Sequence, residues 1–206
     1  GLGGGSSDAA FTIIGLNRLW NLNLNQRELA ALGEKIGSDV PFFFHGPAAV
    51  VEGRGEVVSP VQIERSYAVL LVKPPVRVST AWGYAELDKL SAYGSSSQEG
   101  VLTKKGNNIK LFCHALESGD FSLLKSVQGN DFEHLLIWKY PVISDIKDRM
   151  KKKGALFSSM SGSGPTVFGV FESEQRAAEA MDDMSSNWCR IVKTATSNEL
   201  QVSSEN

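Results

Sequence analysis

Cysteine is scarce in this chain: two residues, Cys113 and Cys189, among 206. Neither belongs to a CxxC pair or a Cys/His cluster, which argues against a disulfide scaffold and a structural zinc site and makes a reducing compartment the default. Charge of one sign is scarce too. Lys and Arg number 21 against 23 Asp and Glu, a net charge of −2, whereas broad binding to nucleic-acid phosphates wants a clustered positive surplus. The three histidines, His45, His114 and His134, share no metal-ligand spacing. No apolar run reaches the roughly 18 residues of a membrane-spanning helix. The opening residues show neither the basic nor the apolar region of a secretory leader. What remains is a globular composition, 42% hydrophobic and 21% charged, long enough for one large domain or two small ones.

Apolar periodicity predicts a helix over 6–20, where Ala10, Ile13, Ile14, Leu16, Leu19 and Trp20 recur at three- and four-residue spacings, with Ser6 or Ser7 as its cap. A second helix is expected over 26–36, opened by the capping-box pair Asn25 and Glu28, buried through Leu29, Leu32 and Ile36, and stopped at Gly37. The apolar SDVPFFF reads as a buried strand, and AAVVEGRGEVV as two strands joined at Gly53 to Gly55. A strand over 66–75 and a helix over 79–90 capped by Ser79 come next, then a polar loop over 91–108. Helices are expected over 109–118, 121–128 and 141–153. The end of the chain alternates strand, SGSG loop, strand, helix and strand. Strands and helices interleave without a strict βαβα order, which points to an α+β sandwich, and composition shifts near 60–65 as at a domain boundary.

Three short segments carry candidate chemistry. GLGGGSSDAA sets Gly1, Gly3, Gly4 and Gly5, with Leu2 among them, ahead of Ser6, Ser7 and a helix. Glycine lets backbone approach a ligand closely, and a helix start offers unpaired N–H groups and a positive dipole end, so phosphate is the natural guest. The serine hydroxyls add donors, and one could also ligate a Mg²⁺ carried by a nucleotide. No Gly-Lys-Ser/Thr follows and no G-x-G-x-x-G stands after a strand, so neither the P-loop nor the dinucleotide fingerprint applies. The same composition also suits a flexible linker. In GSDVPFFF, Asp39 is either a base for a hydroxyl nucleophile or a turn aspartate accepting local backbone bonds. Gly162, Ser163 and Gly164 make a second small-residue loop, whose plain reading is a hairpin turn.

Taken together, GLGGGSSDAA, then GSDVPFFF followed by Gly53, Gly55 and Glu56, then MSGSGPTVFGVF resemble the GHMP kinase superfamily in order and spacing from residue 1 to about 196. The triple-glycine loop, VKPP before STAWGY, and Asn130-Asp131-Phe132-Glu133 resemble the branch acting on a cytidine-diphosphate-linked sugar alcohol in non-mevalonate isoprenoid synthesis. The resemblance implies a two-domain α+β fold: 1–62 as the remainder of an S5-like ATP-binding domain, and 63–206 as a ferredoxin-like α/β sandwich. It implies ATP as co-substrate with Mg²⁺, Gly1 to Ser7 on the phosphates, Gly162 to Gly164 near the nucleotide, and Asp39 activating the acceptor hydroxyl. Thr80 and Tyr84 would meet the cytidine half, Tyr84 by stacking. A bacterial cytosol or plastid stroma is the implied setting, with no nucleic-acid or membrane partner. It also implies a segment ahead of Gly1 bearing a lysine that pairs with the aspartate, so the chain is expected to be part of a longer kinase. Other GHMP kinases of mevalonate or homoserine type, and a catalytically incomplete nucleotide-binding fragment, are the alternatives.

Overall fold

The computed structural model of the chain describes residues 1–93, 109–126 and 130–197. Their contacts fall into two units: a helical unit, Gly3–Glu64 with Ala195–Asn206, and a sheet unit, Gly1–Leu2 with Arg65–Thr194. Of the loop expected over 91–108, residues 91–93 are helical instead, and 94–108 lie outside the described residues.

In the helical unit α1 (Gly4–Leu19) buries Ala10 and half-buries Ile13, Ile14 and Leu16, while Leu19 and Trp20 stand exposed. Its cap is Gly3 in the left-handed region, not a serine, and the Ser7 hydroxyl instead donates back to the Gly4 carbonyl, 2.8 Å away. A side-chain amide governs the exit: Asn17 both donates to and accepts from the Leu24 backbone. Helix α2 (Gln26–Glu34) opens on the full capping box of Asn25 and Glu28. The face it buries centres on Gly33, leaving Leu32 and Ile36 exposed, contrary to expectation. Gly33 has no Cβ, so Val40 and Phe44 close directly over it.

That closure overturns the strand expected in SDVPFFF. Residues Pro41–Phe44 form a 3-10 turn, and Gln26 Nε2 donates to the Phe44 carbonyl, fastening the turn to α2. A short apolar run does not distinguish strand from turn by periodicity, and Pro41 sits where a helical first position tolerates its missing N–H. The hairpin of β1 (Ala49–Glu52) and β2 (Val57–Pro60) is antiparallel with Glu52 opposite Val57, as its spacing predicts. Past it, Ile63 and Ser197 exchange hydrogen bonds.

The sheet unit is built on β3 (Ala68–Lys73), an inner strand buried over most of its length. After it come α3 (Thr80–Tyr93), the helical residues 109–118 (α4), α5 (Asp131–Lys139) and α6 (Val142–Lys152). Then follow β4 (Phe157–Met160), β5 (Val167–Phe171), α7 (Glu174–Asp182) and β6 (Trp188–Lys193). The stretch expected as helix over 121–128 is a 3-10 turn, Phe121–Ser126, among the described residues. The sheet is wholly antiparallel in the order β4-β5-β3-β6, the split β-α-β arrangement of ferredoxin-like folds. Alternation along the strands divides two apolar layers. Ala68, Leu70, Val72, Val167 and Phe171 pack on α5, α6 and α7, while Tyr67, Phe157, Phe168 and Val170 pack on α4 and the 3-10 turn. Among the described residues no helix is long and apolar enough to cross a membrane.

Candidate functional site

Each unit carries some of the candidate residues. In the helical unit the glycine-rich segment runs into α1, whose first turn receives no side-chain cap. Side-chain positions at Gly4 and Gly5 meet nothing within 4 Å, so a ligand can approach this backbone closely. Gly3, with φ 64°, lies against the ring of Phe43, which ties the segment to the turn that follows Asp39.

Asp39 stands exposed in the turn over residues 37–40, closed by the Val40 N–H donating to the Gly37 carbonyl at 3.1 Å. Among the described residues its carboxylate has no hydrogen-bond or ion-pair partner, so it does not serve as the local acceptor of an ordinary turn aspartate. The tip of the β1–β2 hairpin backs this turn. Gly55 is buried with φ 118°, and a Cβ there would stand 2.1 Å from the Ser38 carbonyl oxygen, so no side chain fits. Next to it, Glu56 folds its carboxylate over the tip and accepts from the Arg54 N–H at 2.6 Å. Bonds from its own amide and that of Arg54 hold its pKa below the usual value.

In the sheet unit the SGSG loop joins β4 to β5. Gly162 and Gly164 adopt φ of 54° and 75°, conformations that L side chains rarely take. From inside, Ser161 N–H donates to Thr166 and Gly164 N–H to Ser161. The Ser161 hydroxyl donates to the Gly1 carbonyl, bringing this loop to the first residue of the glycine-rich segment.

From outside, the loop is held by α5, an element whose functional weight the sequence reading missed. The Asn130 Oδ1 caps α5 by accepting from Phe132 N–H at 2.9 Å, while its Nδ2 donates to the carbonyls of Met160, at 3.0 Å, and Gly162. Glu133, 6% exposed, accepts from the Ser159 hydroxyl at 2.8 Å and the Met160 N–H at 2.6 Å, and pairs with Lys147 of α6. The signal was present: Asn followed by Asp131 and Glu133 is a helix start with acids in its first turn.

Helix α3 brings Thr80 and Tyr84. The Thr80 side chain lies outside the described residues. Tyr84 is 56% exposed and meets the Phe132 ring edge-on, with centroids 5.0 Å apart, while Lys139 sits over Trp82 at 3.8 Å, so α5 also orients α3. The cysteines take no part: burial pushes both thiols up, keeping them protonated and unreactive near neutral pH.

Comparison with known proteins gives this arrangement relatives. Residues 1–47 match the family described as GHMP kinases N terminal domain, and residues 112–189 match GHMP kinases C terminal. A 4-diphosphocytidyl-2-C-methyl-D-erythritol kinase of Thermodesulfovibrio yellowstonii is 45% identical over 194 residues, 94% of this chain and 66% of the relative. One of the same name from Geobacillus kaustophilus is 42% identical over 178 residues, 85% of this chain and 57% of the relative. The chain thus spans less than two thirds of the length of these relatives. A solved 4-(cytidine 5'-diphospho)-2C-methyl-D-erythritol kinase superposes with a TM-score of 0.70 at 25% identity, over 93% of this chain and 65% of that one. A homoserine kinase from Cytophaga hutchinsonii superposes at 0.69 with 20% identity over 88% and 61%, a likeness of fold alone.

Proposed function

From the premise that this chain, which carries the N-terminal and C-terminal domains of the GHMP kinases, belongs to that superfamily, we propose that the protein transfers the γ-phosphate of ATP to the 2-hydroxyl of 4-diphosphocytidyl-2-C-methyl-D-erythritol, a step in isoprenoid precursor synthesis. The observation that carries this reading is the 45% identity, over 94% of the chain, to a kinase named for that substrate.

In this reading Gly1, Leu2, Gly3, Gly4, Gly5, Ser6 and Ser7 receive the phosphates. Their support is the uncapped first turn of α1, where N–H groups and the helix dipole favour an anion. Asp39 takes the proton of the acceptor hydroxyl as that oxygen bonds to the γ-phosphorus and the bond to the ADP oxygen breaks. An exposed carboxylate with no partner among the described residues suits the role. Gly162, Ser163 and Gly164 border the nucleotide. Thr80 and Tyr84 receive the cytidine half, for which the exposed Tyr84 ring offers a stacking face.

Mg²⁺ fits as an ion brought by the nucleotide. No three of His, Cys, Asp and Glu cluster among the described residues, and Mg²⁺ keeps waters and substrate phosphates as its main ligands. We assign Ser6 as a protein oxygen for it, because the Ser6 hydroxyl has no hydrogen-bond partner among the described residues. When bound, the ion neutralises charge on the phosphate oxygens. A cytosolic setting belongs to the same proposal, supported by the free state of both cysteines.

The test offers the full-length protein ATP with 4-diphosphocytidyl-2-C-methyl-D-erythritol, mevalonate or homoserine. The expected preference for the cytidyl acceptor is on the order of 10⁴ in kcat/KM, because a site built to bond a base rejects acceptors that lack one. Comparable turnover of mevalonate or homoserine contradicts the assignment.

A further inference from the structure

We propose that Asn130 is a positioning residue that sets nucleotide affinity by fixing the peptide planes of the SGSG loop. The inference rests on the kinase reading above for its ligand and on side-chain geometry for everything else.

One amide performs two tasks in different directions. Its oxygen caps α5 through the Phe132 N–H, and its nitrogen donates to the alternate carbonyls of Met160 and Gly162. A peptide is planar and trans, so fixing a carbonyl also fixes the N–H on the opposite edge of the same plane. At Met160 the consequence is visible: with its carbonyl on Asn130, the next N–H, that of Ser161, points across the loop to Thr166 at 2.8 Å. At Gly162 the same rule sets the direction of the Ser163 N–H. Gly162, with φ 54°, has the backbone freedom to turn that plane elsewhere, so something outside it must hold it. The two planes flank Ser161, whose hydroxyl donates to the Gly1 carbonyl, so they set where the loop meets the glycine-rich segment.

The footing beneath the amide is rigid. Strand β4 lies at the sheet edge, and the Met160 N–H is taken up by Glu133. Glu133 is in turn buried against Lys147, whose side chain is 13% exposed. A buried ion pair is weak evidence for stability by itself. The other Glu133 oxygen, Oε1, accepts from both Ser159 and Met160, the last residues before the loop. Asn130 thus spans from a fixed strand end to the movable peptide.

The discriminating variant is Asn130→Asp, measured by ATP affinity and by hydrogen exchange in the full-length protein. Aspartate caps helices as well as asparagine does, so α5 keeps its first turn. It has no N–H, however, and sets a carboxylate oxygen against two carbonyls. The expected result is ATP affinity weakened about tenfold or more, faster exchange at residues 161–164, and unchanged protection in α5. If Asn130→Asp leaves ATP affinity and loop exchange at wild-type values while Asn130→Ala impairs them, the residue is only a helix cap and the proposal is overturned. Wild-type protein that binds no ATP overturns the kinase reading and the nucleotide role with it; loop exchange in Asn130→Asp still decides the positioning claim, which unchanged exchange contradicts.

Discussion

The carboxylate of Asp39 and the missing side chain of Gly55 form one device. Asp39 holds its place in the turn through backbone alone, because its side chain is engaged with none of the described residues. Its position therefore depends on what the Ser38 carbonyl rests against, which is Gly55. Replacing Gly55 by alanine must push Ser38 and its neighbour away, in a conformation already unfavourable for an L residue. Gly55→Ala is expected to cost roughly 1–3 kcal/mol of stability. Turnover should fall on the order of 10²-fold, since a misplacement of about 1 Å has that effect. Thermal unfolding with steady-state kinetics checks both; a folded variant with full turnover shows that the hairpin does not set Asp39. The resemblance singled out the motif residues, whereas spacing and residue type alone left a linker, a turn aspartate and a hairpin turn open. What the sequence does not display is direction: nothing in it says that the Ser7 hydroxyl turns back to Gly4, or that Asn130 reaches two carbonyls some thirty residues on.

The hairpin tip shows how an element is held together and when it loosens. Amide bonds from Glu56 itself and from Arg54, with a smaller attraction to the Arg54 charge, hold the Glu56 pKa below its usual 4.5. A depressed pKa means that the ionised form favours the folded tip. That contribution is fully present above about pH 4.5, and it is lost as pH falls through the lower folded value. Following the Arg54 amide by NMR on acidification should give a midpoint below 4.5, and none in Glu56→Gln. A midpoint at or above 4.5 contradicts the geometry. Elements with end signals were readable: α2 from its capping box, the hairpin from its glycines, β3 from its continuous apolar run. The 3-10 turn at Pro41–Phe44 was not, because its shape comes from Val40 and Phe44 closing over Gly33, a tertiary contact between segments that local pattern does not encode. Helix α5 is legible in the sequence only as a motif, although Asn130 marks its start.

At the scale of the whole molecule, the chain distributes its candidate site residues between units with different means of rigidity. The helical unit offers a helix start without a side-chain cap and a carboxylate unengaged among the described residues. The sheet unit offers a loop pinned between a buried ion pair and a helix cap, and beside it an exposed tyrosine fixed edge-on by Phe132. The α+β class was legible because alternation along the strands and the order of elements leave few topologies open. The strand order β4-β5-β3-β6 was not written in any one segment, since it emerges only when both faces of β3 must be covered. The central claim is that this framework serves phosphoryl transfer with Asp39 at the reacting hydroxyl. Its most direct test is Asp39→Asn in the full-length protein, with turnover of the cytidyl acceptor and ATP affinity measured side by side. Turnover should fall by about 10²–10⁴ with ATP affinity and thermal stability unchanged, because the side chain leaves no described partner behind. Turnover close to wild type would show that Asp39 does not handle the proton.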